Sequence, residues 1–174
     1  MKKIIYTLAL MAVSFVAGAQ ALPFTAADYD PAVMAKGGAF MTETSGTAFA
    51  AFGNPAAAPF AEKKVDAAVG YTMWQPSGVS SNVLAAGGTF VMREKIGVSL
   101  GMTYGMNAPY DIVDGSGLAI GTFSPSDLQV NAGLSWKFLP FLSVGASFGY
   151  ASSTLADGVS YGAFNADVFA MAKF

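Results

Sequence analysis

Ile96-Gly97-Val98-Ser99-Leu100-Gly101-Met102-Thr103-Tyr104-Gly105-Met106 is the stretch whose reading decides the fold. Every even-numbered position is large and apolar, and every odd-numbered one is Gly, Ser or Thr. Successive side chains leave a strand on opposite sides, so a period of two predicts a β-strand with two chemically different faces. Gly97, Gly101 and Gly105 stand four apart, which in an apolar helix would be a packing motif for membrane helices. Four is also a multiple of two, and Ser99 and Thr103 break any helical apolar surface.

The same parity recurs on both sides of this stretch. In Leu128 to Phe138 the small face adds Gln129, Asn131 and Lys137, and Leu142 to Ser152 repeats the alternation. Val65 to Trp74, Val83 to Met92 and Gly162 to Phe174 follow it less regularly. Six strands are therefore predicted, each near the roughly 9 to 11 residues that cross a membrane when tilted. Arg93-Glu94-Lys95 and Leu139-Pro140 read as tight turns. Gln75 to Asn82, Asn107 to Asp127 and Ser153 to Tyr161 read as longer loops rich in Gly, Pro, Ser and Asp. Outer-membrane barrels pair short periplasmic turns with long outer loops, which puts both ends of the strand region on the periplasmic side.

Composition agrees with a bilayer environment. The 174 residues are 53% hydrophobic and only 11% charged, with no Cys and no His, against about 25% charged in soluble domains. Lys2 and Lys3, the apolar run Ile4 to Ala17 and the small-residue site Ala19-Gln20-Ala21 read as a signal peptide over residues 1–21. That run is shorter than the roughly 20 residues needed for a spanning helix. No Cys means no disulfide framework and no lipidated Cys after the signal. Slight acidity with no basic patch gives no reason to expect nucleic acid.

The fold class that results is all-β: an antiparallel meander of a transmembrane outer-membrane β-barrel over residues 65–174, preceded at 22–64 by a short helical, plug-like segment. Lipid cannot satisfy an open sheet edge, whose free backbone groups cost several kcal/mol each, so a closed barrel is demanded. If the large face meets lipid, the small face points to a lumen lined by Ser99, Thr103, Gln129, Asn131, Ser135, Ser143, Ser147, Asn165 and Asp167. Tyr71, Trp74, Trp136, Phe138, Tyr150 and Phe174 lie near predicted strand ends and suit the interfacial aromatic girdles. An exported soluble sandwich would also alternate, but with charged residues on its outer face.

Leu22 to Lys64 has no period of two. It holds Lys36-Gly37-Gly38-Ala39-Phe40 and then Ser45-Gly46-Thr47-Ala48-Phe49-Ala50-Ala51-Phe52-Gly53-Asn54-Pro55-Ala56. Ala48 to Phe52 is expected to form about one helical turn, ended by Gly53 and Pro55. So apolar a stretch is expected to pack against or inside the barrel, which makes Gly37, Gly38, Phe49, Phe52, Asn54 and Pro55 the candidate plug residues.

The Gly-Gly-Ala-Phe element at 37–40, followed by Phe-Gly-Asn-Pro-Ala at 52–56 just ahead of alternating strands, resembles the start of the FadL-like outer-membrane superfamily. With Val65-Asp66-Ala67-Ala68-Val69-Gly70-Tyr71 and Trp74-Gln75-Pro76-Ser77-Gly78, the chain looks most like the PorV/PorQ branch of Bacteroidetes-type bacteria. The resemblance implies a barrel of about fourteen strands in the bacterial outer membrane with an N-terminal segment tucked into the lumen. It implies a part in type IX secretion, with secretion-machinery or cargo proteins met by the outer loops 107–127 and 153–161. The FadL branch implies instead a channel for a hydrophobic small-molecule ligand. Members often carry acids ahead of the Asn-Pro-Ala helix, where this chain has Thr44 and Ser45.

No catalysis, metal or cofactor is expected. Without His or Cys there is no Ser-His-Asp arrangement, no thiol nucleophile and no ordinary zinc site. Asp28 with Asp30, and Asp111 with Asp114, read as solvated loop acids, because the spacing of the second pair is not that of an EF-hand. Six strands are fewer than the eight of the smallest single-chain barrel, so the chain is expected to be the first half of a longer barrel.

Overall fold

A computed structural model describes Phe24, residues 30–37, 47–75 and 80–174, with Trp74 described in its backbone alone. The signal peptide read at 1–21, Asp28, Gly38 and the Thr44-Ser45 departure lie outside the described residues. Among the described residues, no helix is long and apolar enough to cross a membrane.

The predicted antiparallel meander is observed. Strands β1 (Val65–Trp74), β2 (Ser81–Met92), β3 (Ile96–Asn107), β6 (Ser126–Leu139), β7 (Leu142–Ala156) and β8 (Val159–Ala172) form one sheet in the order β1-β2-β3-β6-β7-β8. Two more, β4 (Tyr110–Val113) and β5 (Ala119–Phe123), pair separately as a hairpin between β3 and β6. Among the described residues β1 and β8 each have one neighbour, and the sheet does not close on itself.

Every ladder matches faces. Odd positions of β3 pair with odd positions of β6, as in Gly97↔Ser135 and Gly101↔Asn131, and odd positions of β7 pair with odd positions of β8, as in Ser147↔Asp167. Asp66↔Thr89 sets the opposite parity for β1. One face therefore collects Gly, Ser, Thr and Asn from all six strands. The other collects the large apolar side chains, such as Val69, Leu100, Leu134, Phe164 and Val168, and they are exposed.

Four expectations need correcting. Ser153 to Tyr161 is not a long loop: β7 runs to Ala156, β8 starts at Val159, and Asp157-Gly158 alone turns the chain, with Gly158 at φ +69°. Asp-Gly is a preferred two-residue hairpin turn, and its left-handed glycine outweighed the polar composition around it. For the same reason β7 and β8 have 15 and 14 residues, and β6 with 14 is likewise beyond the expected span. Tyr150 consequently lies in the body of β7, its ring tilted against that of Phe164 at 4.9 Å between ring centres, and not at a strand end. The other tight turns stand. At Arg93-Glu94 both residues are left-handed (φ 49° and 56°), the backbone of a type I′ hairpin turn, here without its usual glycine.

Nor is Asn107 to Asp127 an unstructured loop. Asp114 organises the hairpin tip: its Oδ1 accepts from the Ser116 N–H and hydroxyl and from the Leu118 N–H, at 2.8, 2.6 and 2.9 Å. Tyr110 ties the hairpin to β7 by donating its hydroxyl to the Leu155 carbonyl at 2.6 Å. The Ser116 hydroxyl, then the backbone N–H groups of Leu118, Ser116 and Gly117, hold the Asp114 carboxyl below its ordinary value of 3.8. A depressed carboxyl stabilises the folded tip above its unfolded pKa, and that contribution disappears as pH falls through the folded value. Protection of the Ser116 and Leu118 amides, taken relative to their intrinsic exchange rates, should therefore fall on acidification below about pH 4, and Asp114→Asn should flatten that dependence.

Candidate functional site

The covered face of the sheet is a seat for residues 47–60. This segment has almost no polar side chains of its own, so its main-chain N–H and C=O groups must find partners elsewhere. The sheet provides them. The Thr47 N–H donates to Asp66 Oδ2 of β1 at 2.8 Å, and the Thr89 hydroxyl of β2 donates to the Thr47 carbonyl. Asn131 Nδ2 of β6 donates to Ala51 O at 3.3 Å, and Lys137 Nζ of β6 donates to Pro59 O at 2.8 Å. The Ser143 hydroxyl of β7 donates to Ala56 O. Lys137 also lies 5.2 Å from the centre of the Phe60 ring, a cation–π contact.

Local structure follows from the same residues. Ala48 to Phe52 forms successive turns, with Ala50 N–H donating to Thr47 O and Phe52 N–H to Phe49 O, both at 3.0 Å. Pro55 starts a helix as well as ending that run of turns: Pro55–Phe60 is a 3₁₀ helix. Asn54 is extended at φ −122°, and its side chain accepts from the Ala56 N–H at 3.0 Å. Proline at the first helical position loses no bond, because its N–H would be unpaired there anyway. A further helix, α1 (Pro31–Ala35), starts at Asp30, whose carboxylate accepts from the Ala32 N–H at 2.8 Å.

Close approach is possible because the sheet lacks side chains where the segment crosses it. A Cβ on Gly87 would strike the Ala48 carbonyl, and one on Gly101 would strike the Phe52 ring. On Gly133 it would lie 2.9 Å from Pro55 Cβ, and on Gly145 2.8 Å from the Ala56 nitrogen. Phe49 packs with Ala48 and Ala85 beside Ala68 of β1, whereas Ala56 and Ala57 pack with Met171 of β8. Residues 47–57 thus form a strap that runs from β1 to β8 and touches every strand between.

Of the candidate plug residues, Phe49, Asn54 and Pro55 are buried in this seat and Phe52 is half-buried. Gly37 is apart from them, closing α1 in the left-handed conformation at φ +69°. Of the polar candidates, Ser99, Thr103, Gln129 and Asn131 are buried on the covered face. Asn131 and Asn165 flank Gly149 in register, Gln129 Nε2 donates to Asn131 Oδ1 at 3.3 Å, and Asn165 Nδ2 donates to Asp167 Oδ2 at 3.0 Å. The Ser147 hydroxyl reaches the same Asp167 oxygen at 3.3 Å. Ser99 Oγ, Thr103 Oγ1 and Gln129 Oε1 are buried without a partner. Asp66, Thr89 and Lys137 escaped sequence reasoning as strap anchors. The available signal was a run of donors on one sheet face ahead of which stands a segment rich in bare main chain.

No family model, no curated protein and no solved structure matches the chain.

The seat predicts a steric hierarchy. Gly145→Val should destabilise the folded protein by about 1 to 3 kcal/mol through overpacking against backbone that cannot yield, and should open residues 47–60 to protease. Asn54→Ala, which leaves the buried Ala56 N–H unpaired, should do the same at about 1 to 3 kcal/mol. Gly88→Ala should do neither, since its Cβ would meet only Asp66 O at an ordinary 3.7 Å. Equal protease resistance of all three variants would contradict the seat.

Proposed function

We propose that the chain is an exported outer-membrane β-barrel protein of the PorV/PorQ type, which assists protein secretion or surface attachment of cargo by the type IX system. One observation carries the membrane part of this reading. Across all six strands of the sheet, the face turned away from the strap holds no charged residue. Its side chains include Val168 at 87% exposure, Val69 at 75% and Phe164 at 71%. Soluble monomers rarely expose a contiguous apolar patch above a few hundred Å², whereas a lipid-facing sheet requires one. The polar, strap-filled opposite face suits a barrel interior.

The secretion part is supported by the resemblance of residues 37–78 and by the hairpin tip. Leu118 and Ile120 on the hairpin are exposed at 67% and 65%, beside exposed Tyr110 and Val113. An apolar, hydrogen-bond-braced hairpin is suited to meeting protein partners. A second reading, a FadL-like channel for hydrophobic small molecules, draws on Phe49, Phe52 and the alanines that give the covered face an apolar inlay.

A photo-crosslinker at Leu118 in cells separates the two. The secretion reading predicts recovery of a secreted protein or a surface protease on the outer-membrane chain. Absence of any protein adduct, with uptake of a long-chain apolar probe falling several-fold on deletion of Gly46 to Ala57, would overturn it in favour of the channel.

A further inference from the structure

Charge is divided along the strand axis. Within residues 65–174 every Lys and Arg, namely Arg93, Lys95, Lys137 and Lys173, lies at the short-turn end of the sheet, where β1, β3 and β7 begin and β2, β6 and β8 finish. Lys63 and Lys64 join them just ahead of β1. Main-chain bonds set this level across the ladder: Val91 N–H donates to Lys64 O at 2.7 Å, Lys137 N–H to Lys95 O at 2.7 Å, and Lys173 N–H to Phe141 O at 2.9 Å. Six cations there meet three acids, Glu62, Asp66 and Glu94, of which Asp66 is engaged with the strap. The opposite end carries Asp111, Asp114, Asp127 and Asp157.

Most of this row faces outward. Lys137 turns its Nζ to Pro59 O, but Lys63, Lys64, Arg93 and Lys95 are exposed. Arg93 stands in a left-handed turn position (φ 49°) that Asn or Gly would fill with less strain, so a cation is kept there against local preference. Beside the row, the apolar face of the sheet ends in aromatic rings. Phe90 pairs with Val65, the neighbour of Lys64, and Trp136 pairs with Ile96, the neighbour of Lys95. Trp136 is 56% exposed, its ring tilted against that of Phe138 at 5.9 Å between centres. Such rings, next to cations whose long stems lie along apolar surface, are the side chains that favour the headgroup level of a bilayer.

We propose that the short-turn end binds anionic phospholipid, its phosphodiester headgroups held by Lys63, Lys64, Arg93 and Lys95 and its acyl chains lying against Phe90 and Trp136. The inference rests on the membrane-barrel reading, which provides the bilayer. Basic residues at a membrane surface attract anionic lipid, while the four aspartates at the other end repel it. The division of charge thus sets which end of the strands meets an anionic leaflet. An acidic protein would match the cations alone, whereas a phospholipid matches both the cations and the rings that continue into the exposed apolar face.

The two tryptophans of the chain stand at opposite ends of the strands, Trp136 near the short-turn end of β6 and Trp74 as the last residue of β1 at the other end. A Trp74→Phe variant of the chain is folded into phosphatidylcholine vesicles holding a minority of phosphatidylglycerol, with one lipid or the other brominated as a quencher. Per mole of lipid, brominated phosphatidylglycerol should quench Trp136 about threefold or more beyond brominated phosphatidylcholine. Adding Arg93→Gln and Lys95→Gln should lower that preference to about half or less, and raised salt should do the same by screening. Trp136→Phe, which leaves Trp74 as the reporter, should show no preference. Equal quenching of Trp136 by both lipids overturns the headgroup site and leaves the barrel reading standing. So does a preference that survives both the substitutions and the salt, or one that Trp74 reports equally. Trp136 quenched by neither lipid overturns both readings.

Discussion

Everything in this molecule depends on main chain lying directly against a sheet. Residues 47–60 can be so poor in polar side chains only because Asp66, Thr89, Asn131, Lys137 and Ser143 reach up from the sheet to their N–H and C=O groups. Those side chains can reach only because Gly87, Gly101, Gly133 and Gly145 let the strap come within van der Waals contact. Each such bond contributes about 1 kcal/mol net, but leaving its buried partner unpaired costs more. The seat therefore forms as a set. It also ties β1 to β8, strands that are far apart in the ladder order.

Crowding on one face dictates the other. A sheet whose interior positions under the strap are Gly, Ser or Thr places most of its large apolar residues on the opposite side, and there no described residue covers them. Phe164 of β8 contacts both Phe148 and Tyr150 of β7, with the Phe148 and Phe164 rings stacked at 5.7 Å, yet this cluster remains open to its surroundings. Water is a poor solvent for such a surface and hydrocarbon a good one. The same choice of solvent bears on the edges, where an unpaired N–H that water would satisfy becomes expensive in lipid.

The strands were legible in the sequence wherever side-chain size alternated strictly, as from Ile96 to Met106 and from Leu128 to Phe138, because register and burial there obey one rule. Legibility failed where the physics was non-local. Ser153 to Tyr161 has loop composition but strand geometry, since a two-residue Asp157-Gly158 turn lets both neighbours extend their ladder. Asn107 to Asp127 conceals a hairpin whose register depends on Asp114 folding back on Ser116 and Leu118. Asn54-Pro55 ends one run of turns and starts a 3₁₀ helix, and a local rule for proline sees only the first. The strap was recognisable as apolar and therefore packed, but its five anchors lie from 19 to 87 residues along the chain and left no short-range mark.

The central claim, that one face meets lipid while the other is a packed interior, is open to one direct measurement. Single Cys residues at consecutive positions from Leu128 to Trp136 can be spin-labelled in bilayers and their collision rates with oxygen and with a water-soluble nickel complex compared. The account predicts a period of two, with labels at Val130 and Leu134 reached by oxygen and hidden from nickel, and labels at Asn131 and Ser135 reached poorly by oxygen. Labels at Val130 and Leu134 reached freely by nickel would put that face in water and contradict it.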